Sequence, residues 1–594
     1  MNDTPPRPRF ALTVGIVGHR PDRLPDHARD KVAAAVATVL ERLGKEAAVA
    51  QKTYAEFFSP AAPLLSLVSP LAEGADRIAA HAALAQPGWT LDVVLPFPRP
   101  VYIAQFATAA SSEEFNSLLP KARSVLVLPG DGSNTTRAYE TLSLTLLSQS
   151  DIILAIWDGG PSAGGGGTTD TLENAARLDV PVIHVDASAK SGPVIRWSQI
   201  SDFPVPAHRV GDLPDIDFET GLESLVAKLV RPPASEAERR SLLRFLAEGR
   251  RRLNVFLGFP ALKTLFGVRA MRVRDWMPSS PQRLAEDLSR LGCTVNDEKE
   301  RRPSILVGSF GWADAIGLRF AQMFRGAFVV NFTFASIAII VAASSVLSEH
   351  EKLYFVLIEL SLIVVVGVNT VIGRRLGWHS RWFEAREVAE RLRSAFVQWT
   401  LGIRPNSFTG VEPAWTGWYV RAICREQSFL SGSLDEAGLS AARCAILALL
   451  VDQCEYHRTT ASEMAKLERR LEHFGLALFG ATAALSVLLL IVLWSASILH
   501  LTEHEPPWVT VLAVALPVLA TATYGIRVIG DFEGIARRSE RTEAALERAI
   551  KAIANDPVSL DHLRARVQSA AEAMLGDVAG WRIAAEGRSL NIPG

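Results

Sequence analysis

The 594-residue sequence predicts a doubly wound parallel α/β sheet at its amino-terminal end, followed by an α-helical membrane region with four transmembrane helices in two hairpins. Three observations carry that expectation. Residues 10 to 190 alternate short, uniformly apolar strand patterns with helical ones, which a parallel sheet covered on both faces requires. Four long apolar runs follow, each able to cross about 30 Å of hydrocarbon as a helix. Arginines flank these runs, whereas the short segments between them are acidic.

The strand patterns are FALTVGIVG, LLSLV, LDVVLPF, SVLVLP, DIILAIWDG and VPVIHVD, with helical patterns near 26 to 43, 72 to 85, 138 to 149 and 169 to 178. Residues 1–195 are therefore expected to form one α/β domain. A helical linker region over 196–314 follows, with a helix near 217 to 230 closing the domain. Residues 315–402 hold the first membrane hairpin, with spans 326–347 and 353–372, and a basic helix. Residues 403–472 read as a cytoplasmic helical region. The second hairpin, spans 474–499 and 508–526, lies within 473–555 together with another basic helix, and 556–594 is a tail.

Orientation follows from the flanks. Arg319, Arg325, Arg374, Arg375, Arg469, Arg470, Arg527, Arg537 and Arg538 lie outside the hairpins, and Lys352 is the only Lys or Arg at either tip. Cytoplasmic ends collect such charges, so both termini and the central segment are expected in the cytoplasm, with the chain crossing the inner membrane several times. Both hairpins enter from one side, unlike the inverted repeats of many transporters. Glu359 lies toward an outer end, Asn369 toward an inner end, and Pro517 predicts a kink in the last span.

Composition limits the alternatives. The 62 Lys and Arg nearly cancel the 63 Asp and Glu, which excludes a globally basic nucleic-acid binder and an acidic disordered chain. No nucleic-acid partner is expected. A 48% hydrophobic content and a mean hydropathy of +0.17 fit a soluble part carrying very apolar inserts. Four cysteines without a C-x-x-C pair point to reduced thiols rather than a disulfide scaffold, and no metal site is expected. No apolar signal-peptide core occurs in the first thirty residues. His379 and His457 lie on aromatic-rich helical patterns with no third ligand at metal spacing, so structural hydrogen bonds are their simplest role.

In a doubly wound sheet the ligand sits at the carboxyl ends of the strands, which focuses the search. The first strand ends in Gly15, Gly18, His19 and Arg20, a forked donor suited to phosphate. Beyond the second lie Glu73, Gly74, Asp76 and Arg77, and beyond the third Pro96. The fifth ends in Trp157 and Asp158, then runs through Gly164, Gly165, Gly166 and Gly167 to Thr168, Thr169 and Asp170. A glycine loop that delivers N–H groups and hydroxyls at a helix start is suited to an anion. Taken singly, the glycines also serve plain turns, Glu73 and Asp170 plain caps, and Arg20 a local ion pair. Together, at successive strand ends, they point to one nucleotide site with no further cofactor.

These motifs, G-x-x-G-H-R, L-A-E-G-A-D-R, L-P-F-P and W-D-G followed by G-G-G-G-T-x-D, resemble the SLOG superfamily of Rossmann-like nucleotide-binding domains, which includes the Lonely Guy phosphoribohydrolases and DprA proteins. The likeness covers about residues 10 to 190. Lonely Guy enzymes carry G-G-x-G-T-x-x-E, whose Glu takes part in cleaving a nucleoside monophosphate. Laying Gly164 to Thr168 on that pattern puts Thr171 at the catalytic position, so the resemblance implies phosphate binding more than hydrolysis, with Asp170 and Glu173 as substitutes. The hairpins, with Trp378, His379, Arg381, Trp382, Glu384 and Arg386 on the helix after the first, resemble SLATT domains, membrane effectors found with SLOG sensors in prokaryotic conflict systems. The two likenesses imply a homo-oligomeric sensor of an ADP-ribose-like or cyclic nucleotide that opens a pore in, or perturbs, the lipid bilayer in antiviral defence. Two alternatives stay open, a membrane-anchored nucleoside 5′-phosphate N-glycosidase and a ligand-regulated channel or transporter.

Overall fold

The computed structural model describes residues 3–161, 165–200, 207–250, 253–292, 304–348, 350–405, 414–427, 429–499 and 506–585. Val, Ile and Leu fill the central strands because water reaches neither face of the sheet. All six residues of β5 (Ile152–Trp157) are buried, as are seven of the eight in β1 (Ala11–Gly18). With β2 (Leu64–Ser69), β3 (Trp89–Leu95), β4 (Ser124–Val127) and β6 (Val182–Asp186) they form a parallel array. Helices flank it: Asp26–Thr53 packs with Ala75–Ala85 and Phe218–Val230, and Thr135–Gln149 with Thr168–Arg177.

The edges correct the expectation of a purely parallel sheet. β7 (Val194–Arg196) and β8 (Asp215–Asp217) add antiparallel beside β6. At the far edge β9 (Gly432–Ser433), from the helical half, pairs parallel with β4. The full order is β8-β7-β6-β5-β1-β2-β3-β4-β9, a mixed sheet with a parallel centre.

Among the described residues, four helices are long and apolar enough to cross a membrane, within Ile305–Leu347, Lys352–Arg375, Glu436–Ser495 and Pro507–Asn555. They form a row. Lys352–Arg375 packs on Ile305–Ser344, which packs on Pro507–Gly530, which packs on Glu436–Leu499. The outer members stay bare: 11% of the apolar window in Lys352–Arg375 is buried within the chain, and none of that in Glu436–Ser495. Such faces need lipid or another chain against them. Three polar side chains between the first pair are satisfied internally. Asn369 donates to Asn331 Oδ1 at 2.7 Å and to Ala327 O at 3.2 Å, while Asn331 donates to Thr370 Oγ1 at 2.9 Å. Arg527, near the carboxyl end of the last apolar run, donates to Glu468 at 2.6 Å, and the helix continues through Pro517.

Glu436–Leu499 is one helix of 64 residues, so a single rod of about 96 Å joins a polar stem to an apolar end. The stem packs with Phe532–Asn555 and Leu560–Ala585, while Trp378–Trp399 packs on Ile305–Ser344. His379 packs against Phe324 in a tilted pair and Phe383 edge-on, at ring separations of 4.4 and 4.6 Å. Burial, with Arg386 nearby, lowers the buried His457 to about 4 against the pull of Glu390.

The two halves share a buried junction at the amino-terminal ends of β1 and β5. Asp151 Oδ1 accepts from Arg404 at 3.1 Å and Arg425 at 2.8 Å, and Oδ2 accepts from the Thr13 N–H at 2.9 Å. Burial alone would raise this carboxyl, but the two guanidinium groups hold it below its ordinary value. Trp418 Nε1 donates to Val230 O at 2.9 Å, and the Tyr419 hydroxyl donates to Pro6 O at 2.9 Å.

Candidate functional site

Strands β2 to β4 build outward on one side of β1, and β5 and β6 on the other. Connections that leave neighbouring strands in opposite directions open a crevice at their carboxyl ends. A cavity of about 380 Å³ lies at the carboxyl end of β1, between the turn after β2 and the glycine loop that follows β5, large enough for a small organic ligand.

The mouth of this cavity favours an anion. Arg20 is exposed there and donates to the Tyr139 hydroxyl oxygen at 3.0 Å. Opposite it begins the helix Thr168–Arg177, whose cap residue, Gly167, brings no side chain to the first-turn N–H groups. Those unclaimed donors and the positive end of the helix dipole attract phosphate-like charge. Arg23 also lines the mouth, but its guanidinium is held by Asp158 Oδ2 at 2.7 Å. The same carboxylate lies 2.8 Å from His19 Nε2. Burial opposes ionisation of Asp158, yet the Gly160 N–H, His19 and Arg23 together bring it down to about 2. Asp158 is thus a permanent anion that ties β5 to the turn after β1.

The floor differs. Asp76, Tyr102 and Ser143 line it at 6%, 1% and 4% exposure, beside Leu142 and Leu146. Neither the Tyr102 hydroxyl nor Ser143 Oγ has a hydrogen-bond partner among the described residues. Asp76 Oδ2 accepts one N–H, from Ala72 at 3.2 Å. Burial pushes this carboxyl up to about 7, outweighing the Ala72 N–H and the more distant Arg20 and Arg77. Burial also drives the Tyr102 phenol well above its ordinary value, and Asp76 adds to the effect.

Of the residues expected at the site, Gly18, His19, Arg20, Asp76, Gly165, Gly166, Gly167, Thr168 and Thr169 line the cavity. Gly164 lies outside the described residues. The others serve its frame. A Cβ on Gly15 would come 2.2 Å from Ser150 Oγ, and one on Gly74, at φ +93, 2.7 Å from His19 O. Glu73 accepts the Ala107 N–H at 3.0 Å, while Arg77 binds Leu71 O, Ser111 and Glu114, so both clamp the 107–114 segment instead of facing the ligand space. Pro96 presses its carbonyl against Gly130. Trp157 Nε1 donates to Thr169 Oγ1 at 3.1 Å, and Asp170 sits half-buried in the helix's first turn. Thr171 lines the cavity, but its hydroxyl is used by Gly167 O at 3.0 Å, and Glu173 accepts the Val210 N–H at 3.2 Å.

The glycine loop approaches a helix, not only a ligand. A Cβ on Gly165 would lie 2.6 Å from Glu140 Oε1, and one on Gly166, at φ +78, 2.7 Å from Tyr139 Cβ. No family model matches the chain, and no curated protein is found similar to it. Sequence reasoning missed Tyr102 and, among others, Tyr139, Leu142, Ser143 and Leu146, and the signal of these last four was present. They fall at i, i+3, i+4 and i+7 of one helix, with a serine inside the apolar stripe. The one cluster with metal-like spacing among the described residues, Cys454, Glu543 and Glu547, already surrounds Arg458, which reaches the two carboxylates at 2.7 and 2.9 Å.

Proposed function

We propose that this chain is a nucleotide-responsive membrane effector. Its phosphate would sit at the start of Thr168–Arg177 and on Arg20, in a Rossmann-like domain of the SLOG kind. The four apolar helices would cross the inner membrane as two hairpins, with both termini in the cytoplasm where the arginine flanks belong. Copies of the chain would cover the bare outer helices, and the assembly would open or disturb the bilayer. The SLATT-like arrangement supports an antiviral or conflict role, with an ADP-ribose-like or cyclic nucleotide as the signal.

The observation that carries this reading is the position of helix Thr135–Gln149. One face supplies Tyr139, Leu142, Ser143 and Leu146 to the cavity. The remainder holds the helical half: Arg137 donates to Asp561 at 2.6 Å, Thr145 Oγ1 accepts from Arg564 at 2.9 Å, and Gln149 donates to Gly402 O at 2.9 Å. Asp561 and Arg564 belong to Leu560–Ala585, which packs on Trp378–Trp399 and Phe532–Asn555, the helices that follow the second and fourth apolar helices in the chain. A ligand that prefers one placement of Thr135–Gln149 would shift those helices by the difference in its two affinities.

Native mass spectrometry of the full chain in detergent, incubated with a panel including AMP, ADP-ribose and cyclic AMP, tests the reading. One nucleotide bound per chain is expected, and no adduct with any of them would count against it. The same incubations serve a second reading, a nucleoside phosphate N-glycosidase, which the buried Asp76 carboxyl favours because a group near 7 suits proton transfer. Release of free base, lost in Asp76→Asn, would support that activity.

A further inference from the structure

We propose that the cavity floor formed by Asp76, Tyr102 and Ser143 is a nucleobase pocket, which reads the polar edge of the base while the phosphate stays at the mouth. The inference deepens the nucleotide reading and rests on it.

A buried polar group that has given up water normally finds another hydrogen bond; among the described residues four buried hydroxyls have none, those of Ser309 and Thr416 and the two of interest, Tyr102 and Ser143. Here both hydroxyls belong to residues lining one cavity, with a carboxyl from a third element beside them. Tyr102 comes from Arg99–Ile103, Ser143 from Thr135–Gln149 and Asp76 from Ala75–Ala85. Three separate elements thus converge on one small volume. Asp76 is close enough to Tyr102 for its charge to push the phenol further up.

The polarity of the floor selects among the parts of a nucleotide. A phosphate is disfavoured, since the floor offers a carboxyl, while Arg20 and the open helix start lie at the mouth. The surrounding walls are apolar, from Ile16, Leu142 and Leu146. A flat group with apolar faces and polar edges fits such a space. Its edge would give an N–H to the Asp76 carboxyl and accept hydrogen bonds from the two hydroxyls, which can rotate to meet a ring nitrogen or a carbonyl. A base-free sugar phosphate would fill the mouth and leave both hydroxyls unpaired.

Isothermal titration of the full-length protein in detergent with AMP, GMP, CMP, UMP and ribose 5-phosphate tests this assignment. At least one nucleotide is expected to bind about tenfold or more tightly than ribose 5-phosphate. Tyr102→Phe and Ser143→Ala should each weaken that nucleotide by up to about tenfold and leave ribose 5-phosphate unchanged. Neither hydroxyl has a partner to lose, so the ligand-free melting temperature should hold or rise in both variants, which a purely structural role would not allow. Equal binding of nucleotide and sugar phosphate, or variants that leave nucleotide affinity intact or weaken both compounds alike, would overturn the base pocket alone. Binding of none of the five, nor of ADP-ribose or cyclic AMP, would remove the nucleotide reading beneath it.

Discussion

Two buried aspartates at opposite ends of one sheet behave in opposite ways. Asp151, at the amino-terminal end of β5, is surrounded by Arg404, Arg425 and the Thr13 N–H, and its carboxyl is held below the ordinary range. Asp76, beyond the carboxyl end of β2, has one N–H from Ala72 and is pushed up to about 7. Burial is similar at the two positions, so partners and not depth decide the charge. A saturated carboxylate welds two halves of a chain together. An undersaturated one, beside two unpartnered hydroxyls, remains available to a ligand.

Removing the saturated member should have the larger effect. Asp151→Ala leaves two buried guanidinium groups facing each other, and breaking a buried pair from one side costs about 3–5 kcal/mol. Thermal unfolding should show a melting temperature lower by many degrees. A variant as stable as the parent would mean that the junction is not held by this triad.

The undersaturated member should show itself through pH. A carboxyl at about 7 in the fold and 3.8 when unfolded binds its proton more tightly in the fold, so stability falls as pH rises between those values. Asp76→Asn keeps an oxygen for the Ala72 N–H and cannot ionise. Its stability relative to the parent should therefore grow from about pH 4 to 7 and level off above, reaching at most about 4 kcal/mol. Parallel curves for the two proteins across that window would contradict the assignment.

The smallest effect on stability is expected at the link between cavity and bundle. Arg137 and Asp561 are both largely exposed, and a pair so open to water and salt contributes little to stability. Arg137→Ala should melt close to the parent while weakening any response of the membrane helices to ligand.

How much could be read beforehand follows the same divide between local and distant contacts. The six central strands and the four apolar helices were legible because each is a continuous apolar run whose length sets its type. β9 was not, since Gly432 and Ser433 carry no strand signal and pair with β4 through a partner some three hundred residues away. The single helix Glu436–Leu499 was hidden by a change from polar to apolar composition, which alters its surroundings without ending it. At the site, the glycine loop and Arg20 were visible as residue types at strand ends. The direction of Glu73 and Arg77 was not, because a charge beside a glycine turn looks the same whether it meets a ligand or clamps the 107–114 segment. Asp151 and its arginines lie 253 and 274 residues apart, beyond any local pattern.

The central claim is that a ligand in the α/β cavity acts on the membrane helices. Dye release from liposomes carrying the full-length protein, measured with and without the nucleotide that binds in the panel, tests it most directly. Release that begins only with that nucleotide, and is blunted in Arg137→Ala at unchanged nucleotide affinity, is the predicted result. Release that is equal with and without bound nucleotide would contradict it.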